Sequence, residues 1–250
     1  MTRLAIVSAL HEELAEILAL MPDEQRSQAA GRTLWQGHLG GHAVVAVLSG
    51  MGKVAAATTA TLVLQRFRPQ ALLFTGVAGG LAAQARVGDV VVGAAYLQHD
   101  MDASPLCPRH ELPGYGRSWL EADPALRDAV TDASRSALQD LPAWLDAGDR
   151  QRFGLQQPQV LVGQIVTGDR FVASAAESLA LRQALPQALA VDMESAAVAQ
   201  VCHDHGTPFV AVRTISDRAD DAAHVDFPAF LRQVARHYSR QVVQGVLQAL

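Results

Sequence analysis

The sequence predicts a single α/β domain in three layers, with a central mixed, twisted sheet between two layers of helices. Short apolar segments typical of buried strands alternate along the chain with longer segments typical of helices. Residues 71–77 form a nearly continuous apolar run, which is typical of a strand covered on both faces. The chain has 250 residues, half of them apolar, and no repeat or charged linker divides it, so one core over residues 1–250 is expected.

The predicted elements follow in the order that such a fold requires. Residues 4–9 indicate a first buried strand, and residues 12–20 a helix with apolar side chains on one face. A Gly40-Gly41 pair joins the next two strands as a hairpin. Strands are expected over residues 33–39, 42–48, 71–77, 89–97, 160–166, 188–191 and 209–214. Further helices are expected over residues 52–67, 124–138, 195–202 and 228–249, and irregular structure over 98–118 and 140–158. A loop as long as 98–118 is typical of a lid or an interface.

Composition argues against several classes of protein. The formal net charge is −5 and no basic block is present, which disfavours nucleic-acid binding. No uninterrupted apolar run approaches the ~20 residues that span a membrane. The apolar N-terminal segment is short and is followed by His11, Glu12 and Glu13, unlike a signal peptide. Cys107 and Cys202 show no disulfide-framework spacing, so a reducing cytoplasm is the expected location.

Acidic side chains stand where predicted strands meet the elements that follow them. Asp192 and Glu194 lie between a strand and a helix, and Ser216 and Asp217 follow the last strand. In open α/β sheets this edge is where ligands bind, so one site with acidic groups is expected. Glu13 opens the helix after the first strand. There an acid stabilises the helix N-terminus, and the alternative role is a general base that activates water.

Two glycine-rich segments, residues 49–53 and 75–80, also follow strands. Their spacing fits neither a Walker A loop nor a dinucleotide fingerprint, which leaves a tight turn and a ligand cradle as equal alternatives. Lys53 is the only lysine of the chain, but nothing near it in sequence would depress its pKa, which disfavours a Schiff base. The His, Cys and Asp residues within 99–102 and 202–205 have no second ligand cluster at a suitable spacing. Neither a metal nor a cofactor is therefore expected.

Seven segments in order are far more specific than any one of them. They are IVSALHEE (6–13), SGMGKVAAA (49–57), TGVAGG (75–80), VGDVV (87–91), TGDRF (167–171), VDMES (191–195) and RTISD (213–217). Together they resemble the nucleoside phosphorylase superfamily, and most of all its 5′-methylthioadenosine/S-adenosylhomocysteine nucleosidases. The resemblance runs from residue 4 to about residue 231 and is weakest over 98–158.

The resemblance implies a hydrolase that cleaves the N-glycosidic bond of these two nucleosides and releases adenine without a cofactor. Asp217 matches the general acid at adenine N7, and Glu13 matches the group that orients the attacking water. Glu194 matches the residue that holds the ribose hydroxyls, where its charge also suits a developing ribosyl cation. Arg213 and Ser216 are expected to orient the acid side of the pocket.

The resemblance also implies how the rest of the substrate binds. Met193 packs under the ribose, Phe171 stacks on the base, and the backbone of Val172 reads the adenine edge. Gly79 borders the substrate within a glycine-rich turn. The 5′-alkylthio tail is expected among three side chains: Leu10, Met51 and Phe227. A homodimer is implied in which the loop over 98–118 lies at the interface and the partner completes the tail pocket with two residues: Leu106 and Pro113.

Departures from the superfamily pattern separate the candidate activities. The phosphorylases hold phosphate with an Arg and a Ser or Thr at positions that are Phe74 and Val77 here, so water is the expected nucleophile. Asp192 replaces a more usual Glu, and we expect it to have a structural role behind the site. The alternatives are a nucleosidase for another 5′-modified purine nucleoside of the futalosine type, a purine nucleoside phosphorylase, and a non-catalytic nucleoside-binding protein.

Overall fold

The computed structural model describes residues 4–219 and 223–249. Across these ranges one ten-stranded sheet is present. Its strands are β1 (Leu4–Ser8), β2 (Gln25–Ala29), β3 (Arg32–Leu39), β4 (His42–Leu48), β5 (Ala71–Gly80), β6 (Val90–Gln98), β7 (Leu120–Glu121), β8 (Val160–Thr167), β9 (Ala188–Asp192) and β10 (Phe209–Asp217). The helices are α1 (His11–Leu18), α2 (Lys53–Phe67), α3 (Pro124–Gln139), α4 (Leu141–Trp144), α5 (Ala147–Arg152), α6 (Ala175–Ala184), α7 (Ser195–His205), α8 (Ala223–Phe230) and α9 (Arg236–Ala249). A π-helical segment (Leu231–Ala235) joins the last two.

The sheet is mixed, as predicted, and part of it closes on itself. β1 runs parallel to β4 and β5, whereas β3 runs antiparallel to β4. β5 pairs with β10 along its length and also with β9 through Gly79 and Gly80. Because β10, β6, β8 and β9 are paired in that order, β5 closes them into a ring. This closure brings the acidic ends of β9 and β10 to the same glycines of β5.

Helices cover the sheet in two groups, which confirms the three-layer prediction. α9 packs against α1 and α3, and α2 packs against α7. Every residue of β1 and β10 is buried, as expected for strands covered on both faces. α3 begins where the sequence signals it, because the Asp123 side chain accepts a hydrogen bond from the Leu126 N–H and Pro124 occupies the first turn.

Several elements escaped the sequence prediction. β2 is polar because it is an edge strand with solvent on one side, so its sequence lacks the apolar alternation of a half-buried strand. α6 was not predicted, and α4 and α5 lie within the segment expected to be irregular. The C-terminal helix was predicted to begin at Pro228, but it begins at Ala223 with that proline inside it.

The predicted loop over 98–118 begins one residue later, because Gln98 ends β6; residues 99–118 contain no helix or strand and one bridge between Leu112 and Arg117. The Tyr115 hydroxyl lies 2.8 Å from Asp204 Oδ1 and donates to that carboxylate, which attaches the loop to α7. Among the helices of residues 4–219 and 223–249, none combines the length and apolar character needed to cross a bilayer.

Candidate active site

A cavity opens where β1, β5, β9 and β10 end, and its empty space, counted together with the open mouth, is about 640 Å³. This is the edge at which the sequence predicted a ligand site. Its walls include eleven of the predicted site residues: Leu10, Glu13, Met51, Gly79, Phe171, Val172, Met193, Glu194, Ser216, Asp217 and Phe227.

Glu13 lies in the first turn of α1 and is almost completely buried. Its Oε2 accepts hydrogen bonds from the N–H groups of Ala9 and Leu10, at 3.0 and 2.9 Å. Its Oε1 accepts one from the Val77 N–H of β5, at 3.1 Å. Burial raises the pKa of this carboxyl, while the nearby Arg213 and the three N–H donors act in the opposite direction. Glu13 is thus a fixed carboxylate with increased basicity, as a general base requires.

Glu194 is the residue that precedes the first turn of α7, and its side chain points into the cavity. Its Oε1 accepts a hydrogen bond of 2.9 Å from the Gly52 N–H, just before α2. Burial, together with the neighbouring Asp192 carboxylate, raises the pKa of Glu194 to about 7, and Arg213 opposes this shift. A carboxyl that titrates near neutrality at a cavity wall is a functional-site signal.

Arg213 lies behind the cavity wall, which corrects the expectation that it orients the acid side. Its Nε donates to Asp192 Oδ2 at 2.8 Å, and its Nη2 lies 3.0 Å from Ser195 Oγ and 3.8 Å from Glu194 Oε2. Its guanidinium carbon is 4.1 Å from the centre of the Phe74 ring. Arg213 therefore supports the side of the cavity that carries Glu194. Asp192 forms a buried ion pair with Arg213 and also lines the cavity, so its expected structural role stays a prediction.

Asp217 ends β10 and is buried against the cavity. Its Oδ2 accepts a hydrogen bond of 2.7 Å from the Ser216 hydroxyl, and its Oδ1 accepts one of 2.8 Å from the Ala219 N–H. Ser216, rather than Arg213, is therefore the predicted residue that contacts the acid.

The predicted glycine-rich turn is in fact the end of β5. Gly79 pairs with Val191 of β9 and lies beside Asp217 of β10. A Cβ at Gly79 would lie 3.2 Å from Asp217 Oδ1, so a larger residue would crowd the acid. A Cβ at Gly76 would lie 2.7 Å from Arg213 Nη1 and 2.8 Å from Glu13 Oε1. The sequence analysis assigned no specific role to Gly76, yet these two side chains leave no room for a Cβ there unless they shift.

Aromatic and aliphatic side chains form the rest of the cavity. The ring centres of Phe171 and Phe227 are 5.8 Å apart, and the two rings meet nearly edge to face. Phe171 is partly exposed and Val172 is buried, and both line the cavity. Met51 is exposed at the rim.

Leu106 and Pro113 do not line the cavity of this chain. Both belong to the loop over 98–118, Pro113 is exposed, and 91% of the Leu106 surface is exposed. Within the described residues, no group of three or more His, Cys, Asp or Glu side chains is arranged to hold a metal.

Comparison with known proteins identifies the family. A family model of the phosphorylase superfamily matches residues 3–248. The 5′-methylthioadenosine/S-adenosylhomocysteine nucleosidase of Chromohalobacter salexigens is 35% identical over 250 residues, which cover all of this chain and 98% of that protein. The chain belongs to this nucleosidase family of the phosphorylase superfamily.

Solved structures agree with the predicted fold class and resemblance. The nucleosidase of Neisseria meningitidis in complex with methylthio-immucillin-A has a TM-score of 0.87 and 31% identity, with complete coverage of both chains. The futalosine hydrolase of Helicobacter pylori has a TM-score of 0.85 and 28% identity, and the match covers all of this chain and 98% of that one. Since both activities occur on this fold, the substrate of this nucleosidase-family chain must be argued from its site.

Proposed function

We propose that the chain hydrolyses the N-glycosidic bond of 5′-methylthioadenosine and S-adenosylhomocysteine, releasing adenine and the 5-thioribose product. One observation carries this proposal. Three carboxylates on different elements, Glu13 on α1, Glu194 before α7 and Asp217 on β10, line one cavity that also holds an exposed aromatic ring. Cleavage through a ribosyl cation needs an acid, a base and a negative charge near the sugar, and these residues fit those roles.

Asp217 acts on the leaving group. As the C1′–N9 bond breaks, its electron pair moves into adenine. Asp217 either transfers a proton to N7 or donates a hydrogen bond to it. Ser216 and the Ala219 N–H hold the carboxyl in place for this step. An acid must be protonated to donate, so we expect the pKa of Asp217 to rise when the base excludes water from it.

Glu13 and Glu194 act on the sugar. Glu194 accepts hydrogen bonds from the ribose hydroxyls, and its charge stabilises the cation. A water held by Glu13 forms the new bond to C1′ and gives its proton to that carboxylate. Three N–H donors fix Glu13 in place, so little reorganisation accompanies this step.

The charge distribution supports water rather than phosphate as the nucleophile. Arg213 is already paired with Asp192, and Arg170 at the cavity mouth is paired with Glu177. A phosphate dianion beside the carboxylates of Glu13 and Glu194 would be desolvated and repelled.

We further propose a cytoplasmic homodimer built from single-domain subunits. Leu106 and Met51 are large apolar side chains that are mostly exposed, and Met51 stands at the cavity rim. Exposed apolar groups at a ligand site fit a covering partner. In such a dimer, the loop over 98–118 of one protomer covers the other's cavity rim with Leu106 and Pro113. Light scattering of wild type and of Leu106→Asp tests the assembly, and a wild-type monomer contradicts it.

The decisive experiment incubates the pure protein with 5′-methylthioadenosine, with and without phosphate, and identifies the sugar product by mass. We expect adenine and free methylthioribose at the same rate in both samples. A sugar 1-phosphate that appears only with phosphate would instead identify a phosphorylase. A panel of purine nucleosides with other 5′ substituents, futalosine among them, ranks the substrates. If the protein binds these nucleosides but cleaves none of them, it is a nucleoside-binding protein.

A further inference from the structure

We propose that Lys53, Asp100 and Asp169 form a clamp that positions Glu194 through the backbone of Gly52. These three are positioning residues, since none of them lines the cavity. The inference rests on the proposed function in one respect: it takes Glu194 as the residue that holds the ribose hydroxyls. It assigns a role to the only lysine of the chain, which the proposed mechanism does not use.

The three residues form a closed ring of contacts. Lys53 Nζ donates to Asp100 Oδ1 at 2.6 Å. The other oxygen of Asp100 accepts a hydrogen bond of 2.9 Å from the Asp169 N–H. Asp169 Oδ1 accepts one of 2.7 Å from the Lys53 N–H, which completes the ring. The Lys53 side chain is only 17% exposed, and its Nζ also donates to Gln98 Oε1 at 3.1 Å.

Electrostatics favour the charged form of the clamp. Half-burial acts to raise the pKa of Asp100, but the hydrogen bonds from Lys53 and from the Asp169 N–H outweigh burial and hold the pKa below its usual value. The Lys53 ammonium is also 3.9 Å from Asp169 Oδ2. The lysine therefore lies between two carboxylates from different segments of the chain.

The clamp joins three segments at the point where Glu194 is held. Lys53 is the first residue of α2, Asp100 follows β6, and Asp169 follows β8. The residue before Lys53 is Gly52, whose N–H donates to Glu194 Oε1 at 2.9 Å. Asp169 Oδ1 also packs against Gly52, since a Cβ there would lie 3.1 Å from it. Fixing Lys53 at both its N–H and its ammonium therefore fixes the direction of the Gly52 N–H.

A positioning role predicts effects that a purely structural role does not. Partly exposed ion pairs contribute little to the free energy of folding, so breaking the clamp should leave the fold intact. Displacing a group that must align with the transition state costs far more, on the order of 100-fold in rate for about 1 Å. The loss should also be larger when the ribose hydroxyls are present, because in the proposed mechanism they contact Glu194 directly, whereas its charge acts on the cation over a longer distance and depends less on exact alignment.

The test compares Lys53→Met with Arg66→Met, which removes a positive charge from an exposed position at the other end of α2. Each protein is assayed with 5′-methylthioadenosine and with an analogue lacking both ribose hydroxyls. For Lys53→Met we expect kcat/KM on 5′-methylthioadenosine to fall about 10- to 100-fold, mainly through kcat, and to fall less than about 3-fold on the analogue. Arg66→Met should match wild type on both.

Two further variants locate the effect. Asp100→Asn should reproduce the loss, whereas Asp102→Asn should not, because Asp102 lies on the same loop and pairs with Arg109 instead. Adding Lys53→Met to Glu194→Gln should cause no further loss, since residues that act as a unit are not additive. Equal losses on both substrates, or full additivity with Glu194→Gln, would overturn the clamp.

Failure of the clamp and failure of the proposed function give different results. If wild type releases adenine but Lys53→Met behaves as Arg66→Met does, only the clamp is wrong. If wild type releases no adenine, the hydrolase proposal is wrong, and calorimetry then tests the clamp by comparing the affinities for the same two ligands. Lys53→Met should remove the part of the affinity that depends on the hydroxyls. A wild type that binds both ligands equally, or neither, overturns the clamp as well.

Discussion

Replacing Glu194 with glutamine is expected to stabilise the folded protein above neutral pH while abolishing most of its activity. Glu194 is buried, and its pKa is raised from 4.5 to about 7, first by burial and then by the neighbouring Asp192 carboxylate. Its ionised form is therefore disfavoured in the folded state. Glutamine has nearly the same shape and no charge, so it removes this unfavourable ionisation.

The sign and magnitude follow from proton linkage. Between pH 4.5 and about 7 the folded state keeps a proton that the unfolded state has released, so wild-type stability falls as pH rises through this window. The full shift corresponds to about 3.4 kcal/mol, at about 1.36 kcal/mol for each pH unit. Glutamine can still accept the Gly52 hydrogen bond, and Arg213 keeps its 2.8 Å contact with Asp192. We therefore expect Glu194→Gln to be more stable than wild type by about 2–3 kcal/mol above pH 8.

Urea unfolding from pH 5 to pH 9, at one fixed protein concentration, measures this difference. It should be small at pH 5 and should grow through pH 7 to a plateau. Glu121→Gln, at an exposed position on β7, is the control and should show no such trend. A difference that is the same at pH 5 and pH 9, or a Glu194→Gln variant less stable than wild type at pH 9, would refute the reasoning. Adenine release by Glu194→Gln should fall at least ~100-fold, the scale of lost electrostatic stabilisation.

Three further predictions concern the same site. Glu13→Gln and Asp217→Asn should each lower kcat by at least ~100-fold in the adenine-release assay, and a fully active Asp217→Asn would exclude Asp217 as the acid. The value of kcat/KM should rise with pH to a plateau above about 7, because free Glu194 must ionise to hold the ribose; a pH profile that is flat from 5 to 9 contradicts this. Gly76→Ala should destabilise the protein by about 1–3 kcal/mol and lower activity, because its Cβ would meet Arg213 and Glu13. Urea unfolding at pH 7 checks this, and unchanged stability would mean that the two side chains can move aside.

The sequence predicted the acids of the site because their positions are local properties. Asp192 and Glu194 stand between an apolar strand and a helix, and that pattern is visible within about ten residues. Glu13 is recognised in the same way, because it lies where the first apolar strand is followed by a helix. Strand ends of an α/β sheet meet at one edge, so local signals were sufficient to place these side chains in one region. The cavity joins Glu13, Glu194 and Asp217 at that edge.

What the sequence did not predict depends on contacts between distant segments. Gly52 and Glu194 are 142 positions apart, and their hydrogen bond follows from the packing of α2 against α7, since each residue directly precedes one of these helices. The closure of the sheet at Gly79 also depends on distant segments. No local sequence pattern shows that β5 pairs with both β10 and β9 and so closes the ring of strands. Arg213 was recognised in a motif, but the motif did not show that its guanidinium points away from Asp217.

The two positions that the resemblance predicts to differ from the phosphorylases, Phe74 and Val77, make contacts of their own in the structure. The sequence showed Phe74 and Val77 only as the absence of groups that hold phosphate. In the structure the Phe74 ring lies against the Arg213 guanidinium at 4.1 Å, and the Val77 N–H donates to Glu13 at 3.1 Å. An arginine at position 74 would place a second cation against Arg213 and remove this cation–π contact. The Phe74 side chain thus packs on the guanidinium behind the proposed base, whereas position 77 contributes a backbone N–H that any residue except proline retains. A single substitution at Phe74 should therefore damage hydrolysis without creating a phosphate site.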